Sequence, residues 1–206
     1  MDVRRTLLVS ICFLLAALPL AAAPRPLLIC YGDSITAGYG LTSDQAYPAV
    51  LQRSLDQLGY HYQVKNMGMS GATTKDAMEA IPSILKLHPA VVIVEFGGND
   101  GLRGLPLAST RHNLDTVLTT LAAAHIRVLF AGITLPPNYG PDYIQQFGEV
   151  YRDLAAKHHV AFVPMIYKDL IRQPGTIQGD GIHPTVKGSQ ILANTLLTSL
   201  RPLLKK

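Results

Sequence analysis

Apolar and polar positions along this chain follow two rhythms. Short apolar runs rich in β-formers occur at Leu27 to Tyr31, Tyr62 to Lys65, Ala90 to Phe96, Val128 to Thr134 and Val160 to Val163. Each is bounded by Gly, Pro or Asn, the pattern of strands closed by turns. Between them, Leu51, Leu55 and Leu58, then Leu114, Val117 and Leu121, then Ile144, Phe147, Tyr151 and Leu154 recur at spacings of three and four. That spacing gathers each set into one apolar stripe on a helix. Thr74 to Leu87 has the same character, with Pro82 expected to kink or split it. Leu192, Leu196, Leu200 and Leu203 mark a last helix before a basic tail.

Strand and helix thus alternate five times. Parallel neighbours need crossover connections, and right-handed crossovers put helices on both faces of the sheet. The expected fold is a three-layer α/β/α sandwich around a five-stranded parallel sheet. A length of 206 residues suits one such domain.

The start of the chain follows a different pattern. Met-Asp-Val-Arg-Arg is followed by an uncharged run from Thr6 to Leu20 and then by Ala21 to Ala23. A basic start, an apolar middle and small residues before the cleavage point form the layout of a secretory signal peptide. The apolar run is short for a membrane span. The expected organisation is a signal peptide over 1–23 and a catalytic domain over 24–206, exported to the periplasm or medium. Cys12 lies inside the leader behind bulky Ile11, which is not a lipoprotein arrangement, and Cys30 then has no intramolecular disulfide partner.

Composition narrows the function classes. The formal charge of +4 is spread rather than clustered, which argues against dedicated nucleic-acid binding. Gly38-Tyr39-Gly40 lacks the third glycine of a dinucleotide fingerprint, and no phosphate-loop motif occurs. Adjacent His158 and His159 have no further ligand group at metal-site spacing, so no metal and no cofactor is expected. His61, His88, His112 and His125, like that pair, read as surface or helix-end residues.

In open parallel sheets, ligands bind beyond the carboxyl ends of the strands. There the sequence carries Gly32-Asp33-Ser34 after the first strand, Gly68-Met69-Ser70-Gly71 after the second and Gly97-Gly98-Asn99-Asp100 after the third. The fifth is expected to lead through a short helix to Asp180-Gly181-Ile182-His183-Pro184. A serine hydroxyl needs a base to take its proton during attack, and an imidazole can take it and return it to the leaving group. Asp180, three residues before His183, is placed to accept a hydrogen bond from the other ring nitrogen. The backbone N–H groups of Ser34 and Gly71 and the side-chain amide of Asn99 are candidates for an oxyanion hole. Asp100 reads as a loop-holding carboxylate. Asn138-Tyr139, in a proline-flanked turn after the fourth strand, is a candidate wall of the substrate groove.

Taken singly, a Gly-Asp-Ser triplet is a common turn. Gly32-Asp33-Ser34, Gly71, Gly97-Gly98-Asn99-Asp100 and Asp180-x-x-His183, in this order, resemble the four sequence blocks of the GDSL (SGNH) hydrolases. The stretches GGNDGLRG (97–104), LPPNYG (135–140) and DGIHP (180–184) further resemble the bacterial periplasmic acyl-thioesterase, lysophospholipase and arylesterase subgroup. The resemblance implies a flavodoxin-like sandwich and a cofactor-free serine esterase. Ser34 would be the nucleophile, Asp180 and His183 the acid–base pair, and Ser34, Gly71 and Asn99 the oxyanion donors. Ala72 departs from the acidic or polar residue often found after the block glycine. The implied substrate is a small-molecule or lipid acyl ester: an aryl ester, a lysophospholipid or an acyl thioester. The expected enzyme is a monomer in transient contact with a membrane surface. The alternatives are a carbohydrate O-acetyl esterase on the same machinery and a non-catalytic binding domain that kept the fold.

Overall fold

The computed structural model describes residues 24–206, so the expected signal peptide and its cleavage point lie outside the described residues. Five strands, β1 (Leu27–Gly32), β2 (Gln63–Gly68), β3 (Val91–Glu95), β4 (Arg127–Ala131) and β5 (Ala161–Val163), form one sheet in the order β2-β1-β3-β4-β5. Every pairing is parallel. This is the doubly wound order, and its direction reverses between β1 and β3.

Seven helices surround the sheet: α1 (Ser34–Ala37), α2 (Tyr47–Gln57), α3 (Thr74–Leu85), α4 (Gly98–Leu102), α5 (Leu107–Ala123), α6 (Pro141–His158) and α7 (Val186–Leu200). α3, α5 and α6 pack together as one layer, and α2 packs with α7 as the other. Strands covered on both faces must be apolar throughout. Accordingly β3 is buried at every position and β1 at all but its first, whereas edge strand β2 is largely wet.

Two expectations are corrected. Pro82 does not split α3, which continues past it to Leu85. No helix lies between β5 and the Asp180–His183 block. Instead turns closed by Lys168 N–H to Met165 O, Leu170 N–H to Tyr167 O and Gln173 N–H to Leu170 O carry the chain outward. The histidines at the ends of three helix-to-strand segments, His88, His125 and His159, all adopt left-handed φ angles near 50°. They thus take the place glycine commonly has after a helix.

Candidate active site

The site forms at the reversal point, where the carboxyl ends of β1 and β3 diverge. Asp33 caps α1 by accepting a hydrogen bond from Ile35 N–H, which presents Ser34 at the first helical position. The Ser34 hydroxyl lies 2.8 Å from His183 Nε2. On the far side of the ring, Nδ1 lies 2.7 Å from Asp180 Oδ2. The other Asp180 oxygen accepts from the backbone N–H groups of Ile182 and His183 at 2.9 and 3.0 Å. With three donors fixing it, the carboxylate selects the tautomer that carries hydrogen on Nδ1 and leaves Nε2 free to accept. Tyr167 adds a brace by donating its hydroxyl to Ile182 O at 2.6 Å.

Asn99 stands in the first turn of α4, across the gap from Ser34. Its amide donates to Ala72 O at 2.9 Å and faces Asp33 Oδ2 at a longer 3.3 Å. One hydrogen is therefore firmly placed and the other weakly engaged. Ala72, which lacks the polar side chain often found there, contributes through its carbonyl. Gly71 sits at φ +79°, a conformation that a Cβ would strain. Its carbonyl accepts from Arg103 Nη2 at 2.8 Å, fixing the loop on which the Gly71 N–H is carried. Asp100 accepts from Thr74 N–H and the Thr74 hydroxyl at 2.9 and 2.5 Å, so it ties α3 to α4 away from the reacting groups.

Beside these groups opens a cavity of about 620 Å³. Ser34, Asn99 and His183 line one end, and Leu102, Ile133, Leu135, Ile144, Met165 and Ile177 line the body. Asn138 and Tyr139, expected on the groove wall, are not among the lining residues; Pro136 and Pro137 occupy that place. The turn at Pro137–Tyr139 leaves Asn138 exposed and swings the Tyr139 hydroxyl onto Leu102 O at 2.8 Å. Tyr139 thus buttresses the wall from behind.

The model of the GDSL-like lipase/acylhydrolase family matches residues 30–191. The chain belongs to that family. Among its GDSL relatives, the protein described as esterase TesA of Pseudomonas aeruginosa is 41% identical over 201 residues, 97% of this chain and 100% of that one. The Escherichia coli K12 protein described as thioesterase 1/protease 1/lysophospholipase L1 is 35% identical over 190 residues, covering 92% and 90% of the two chains. A solved structure of TesA superposes with a TM-score of 0.83 at 40% identity, spanning 86% of this chain and 99% of that one.

Two carboxyls of this GDSL site are driven in opposite directions. Burial pushes Asp33 up to about 6, against the pull of the Ile35 N–H and the nearby His183. At Asp180 a smaller burial effect is outweighed by the hydrogen bonds from the His183 ring and from two backbone N–H groups, which hold it at about 2. A third carboxyl, Glu95, was not signalled by the sequence because it closes an apolar strand. It is fully buried directly behind Asp33 and accepts from the Thr36 hydroxyl at 2.8 Å. Burial, with the Asp33 charge beside it, raises Glu95 well above the ordinary carboxylate range.

Proposed function

We propose that the chain is a serine esterase that hydrolyses acyl esters through an acyl-enzyme on Ser34. The observation that carries this reading is the continuous path from Ser34 Oγ through the His183 ring to Asp180, opening on an apolar cavity. As Ser34 attacks the ester carbonyl, its proton passes to His183 Nε2, and Asp180 stabilises the imidazolium. The oxyanion draws on the N–H groups of Ser34 and Gly71 and on the less engaged hydrogen of Asn99. His183 then returns the proton to the departing alcohol or thiol. In the second half-reaction His183 takes a proton from water as it attacks the acyl carbonyl, then returns that proton to Ser34 Oγ as the ester bond to the serine breaks and the acid leaves.

The relatives' descriptions and the cavity together support acyl chains over acetyl groups on sugars. The cavity walls are mostly apolar, so chain length is read by burial. Ile171, 61% exposed, lines the cavity and supports transient contact with a membrane surface when the ester is a lipid. The enzyme would act as an exported monomer, because the basic, apolar and small-residue pattern over 1–23 precedes β1 without intruding on it.

The test uses protein recovered from the envelope fraction, whose N-terminus is expected near Ala23, assayed on nitrophenyl esters. Each methylene is worth at most about 0.8 kcal/mol, roughly fourfold, so kcat/KM should rise from acetyl toward medium chains and then level off. Ser34→Ala should abolish the activity while the protein stays folded. An active Ser34→Ala variant would overturn the mechanism. A best rate on acetyl with steep decline thereafter would give the lead to the carbohydrate O-acetyl esterase.

A further inference from the structure

The Gly38-Tyr39-Gly40 turn is not used by the mechanism above, yet it lies against its base. Gly38 and Gly40 both sit at positive φ, +82° and +75°, which curls the chain after α1 back toward the site. A side chain is strained at both by the positive φ; in addition a Cβ on Gly38 would fall 2.5 Å from Ala46 Cβ, and one on Gly40 would displace the Gln178 amide, 2.5 Å away. The curl is anchored by Tyr39 N–H donating to Ser34 O at 3.0 Å. It leaves the Tyr39 ring 55% exposed, lying over the His183 imidazole with centroids 4.5 Å apart and planes inclined by 36°. An exposed tyrosine outside the core, held by two constrained glycines onto one catalytic ring, is not explained by packing.

Gln178 closes the arrangement from the other loop. Its side-chain amide donates to Tyr39 O at 2.8 Å and to Pro184 O at 2.9 Å, and its backbone N–H donates to His183 O at 2.8 Å. One residue therefore spends both amide hydrogens joining the segment after the nucleophile to the segment that carries the base, and its own backbone holds that base's carbonyl.

We propose that Tyr39 and Gln178 are positioning residues that hold the His183 ring in line with Ser34, an inference that rests on the serine–histidine reading above. The physical need is specific. Asp180 and Ser34 hold the imidazole at its two nitrogens, and bonds lying in the ring plane leave the ring free to rock about the line that joins them. A flat group against one face blocks the rocking. It also favours the imidazolium formed during attack, since the face of an aromatic ring attracts a cation. Gln178 fixes the distance between the two loops, without which the tyrosine would have no defined place from which to act. Near-attack geometry is lost within about an ångström, so rate is the sensitive quantity.

The test compares Tyr39→Ala, Tyr39→Phe and Gln178→Met on nitrophenyl butyrate, each in the wild-type and the His183→Ala background. Tyr39→Ala and Gln178→Met should each lower kcat on the order of tenfold, with KM within about twofold. Tyr39→Phe, which keeps the ring, should restore the wild-type kcat. In the His183→Ala background neither Tyr39→Ala nor Gln178→Met should lower the residual rate further, because there is no ring left to position. An unchanged kcat in both variants, a rise in KM alone, or a further fall in the His183→Ala background would each overturn the inference. Full activity of His183→Ala itself would instead sink the underlying mechanism, so the two failures are told apart.

Discussion

The proposed nucleophile and its proposed base are mounted on opposite kinds of structure. Ser34 stands just past the end of the inner strand β1, and the polar groups around it, Asp33, Thr36 and Glu95, are all nearly or wholly buried. Thr36 Oγ1 bonds both Glu95 and the buried Tyr47 hydroxyl. His183 stands on residues 164–185, which hold no helix or strand and only one isolated bridge, Ile177 with Pro184. Core packing fixes the first group, and a lacing of hydrogen bonds fixes the second. Packing that serves the fold and the site together cannot be loosened for one alone. Lacing can, so damage on the base side should appear in the rate before it appears in stability.

The sharpest challenge to that contrast is Gly32→Ala. A Cβ there would lie 2.0 Å from Thr36 Oγ1 and 2.7 Å from the backbone oxygen of Glu95, which cannot retreat without shifting β3. Overpacking against backbone should cost about 3 kcal/mol or more and take activity down with it. Urea unfolding measures the loss. A variant that unfolds like the wild type would show that the core does not grip the nucleophile.

Asp33→Asn probes the same region more gently. Asp33 titrates near 6 in the folded protein against an ordinary 3.8, so the native state holds the extra proton between about pH 4 and 6. Wild-type stability from this group therefore falls as pH rises through that window, and an asparagine escapes the fall. Relative to wild type, Asp33→Asn should gain about 2 kcal/mol between pH 4 and pH 8, read from unfolding curves at both. An equal difference at the two pH values would mean that the buried carboxylate costs nothing.

The smallest effect on stability is expected at Tyr167→Phe, which removes only the bond to Ile182 O. It should cost about 1 kcal/mol or less, while kcat drops roughly three- to tenfold as the His183 loop loosens. A larger stability loss here than at Gly32→Ala would reverse the comparison.

The same contrast decides what could be read in the sequence. β1 and β3 were legible because strands buried on both faces are unbroken apolar runs, and their expected bounds differ from the observed ones by no more than one residue. Edge strand β2 was expected over Tyr62 to Lys65 but runs over Gln63–Gly68, pairing Asn66, Met67 and Gly68 with Cys30, Tyr31 and Gly32. Exposure on an edge erases the apolar signature. Ser34 and Asn99 could be found because short turns carry them just past strand ends, and Asp180 and His183 because three residues separate a carboxylate from an imidazole. The cavity could not, since its walls come from segments as far apart as Leu102, Ile133 and Ile177, each of which alone looks like core. Asn138 and Tyr139 misled for the complementary reason: a turn's residues can be named from sequence, but not the direction they face.

The hydrogen bond between Ser34 and His183 spans 149 residues of chain. Synthesis therefore delivers the hydroxyl 149 residues before its base, and no ester-cleaving centre exists until His183 has been made. The central strands can pair during synthesis, yet any product stopping short of residue 183 carries a docked serine with nothing to deprotonate it. Chains that stop early are thus silent toward esters, and hydrolysis begins only when the segment after β1 has met the segment that follows β5.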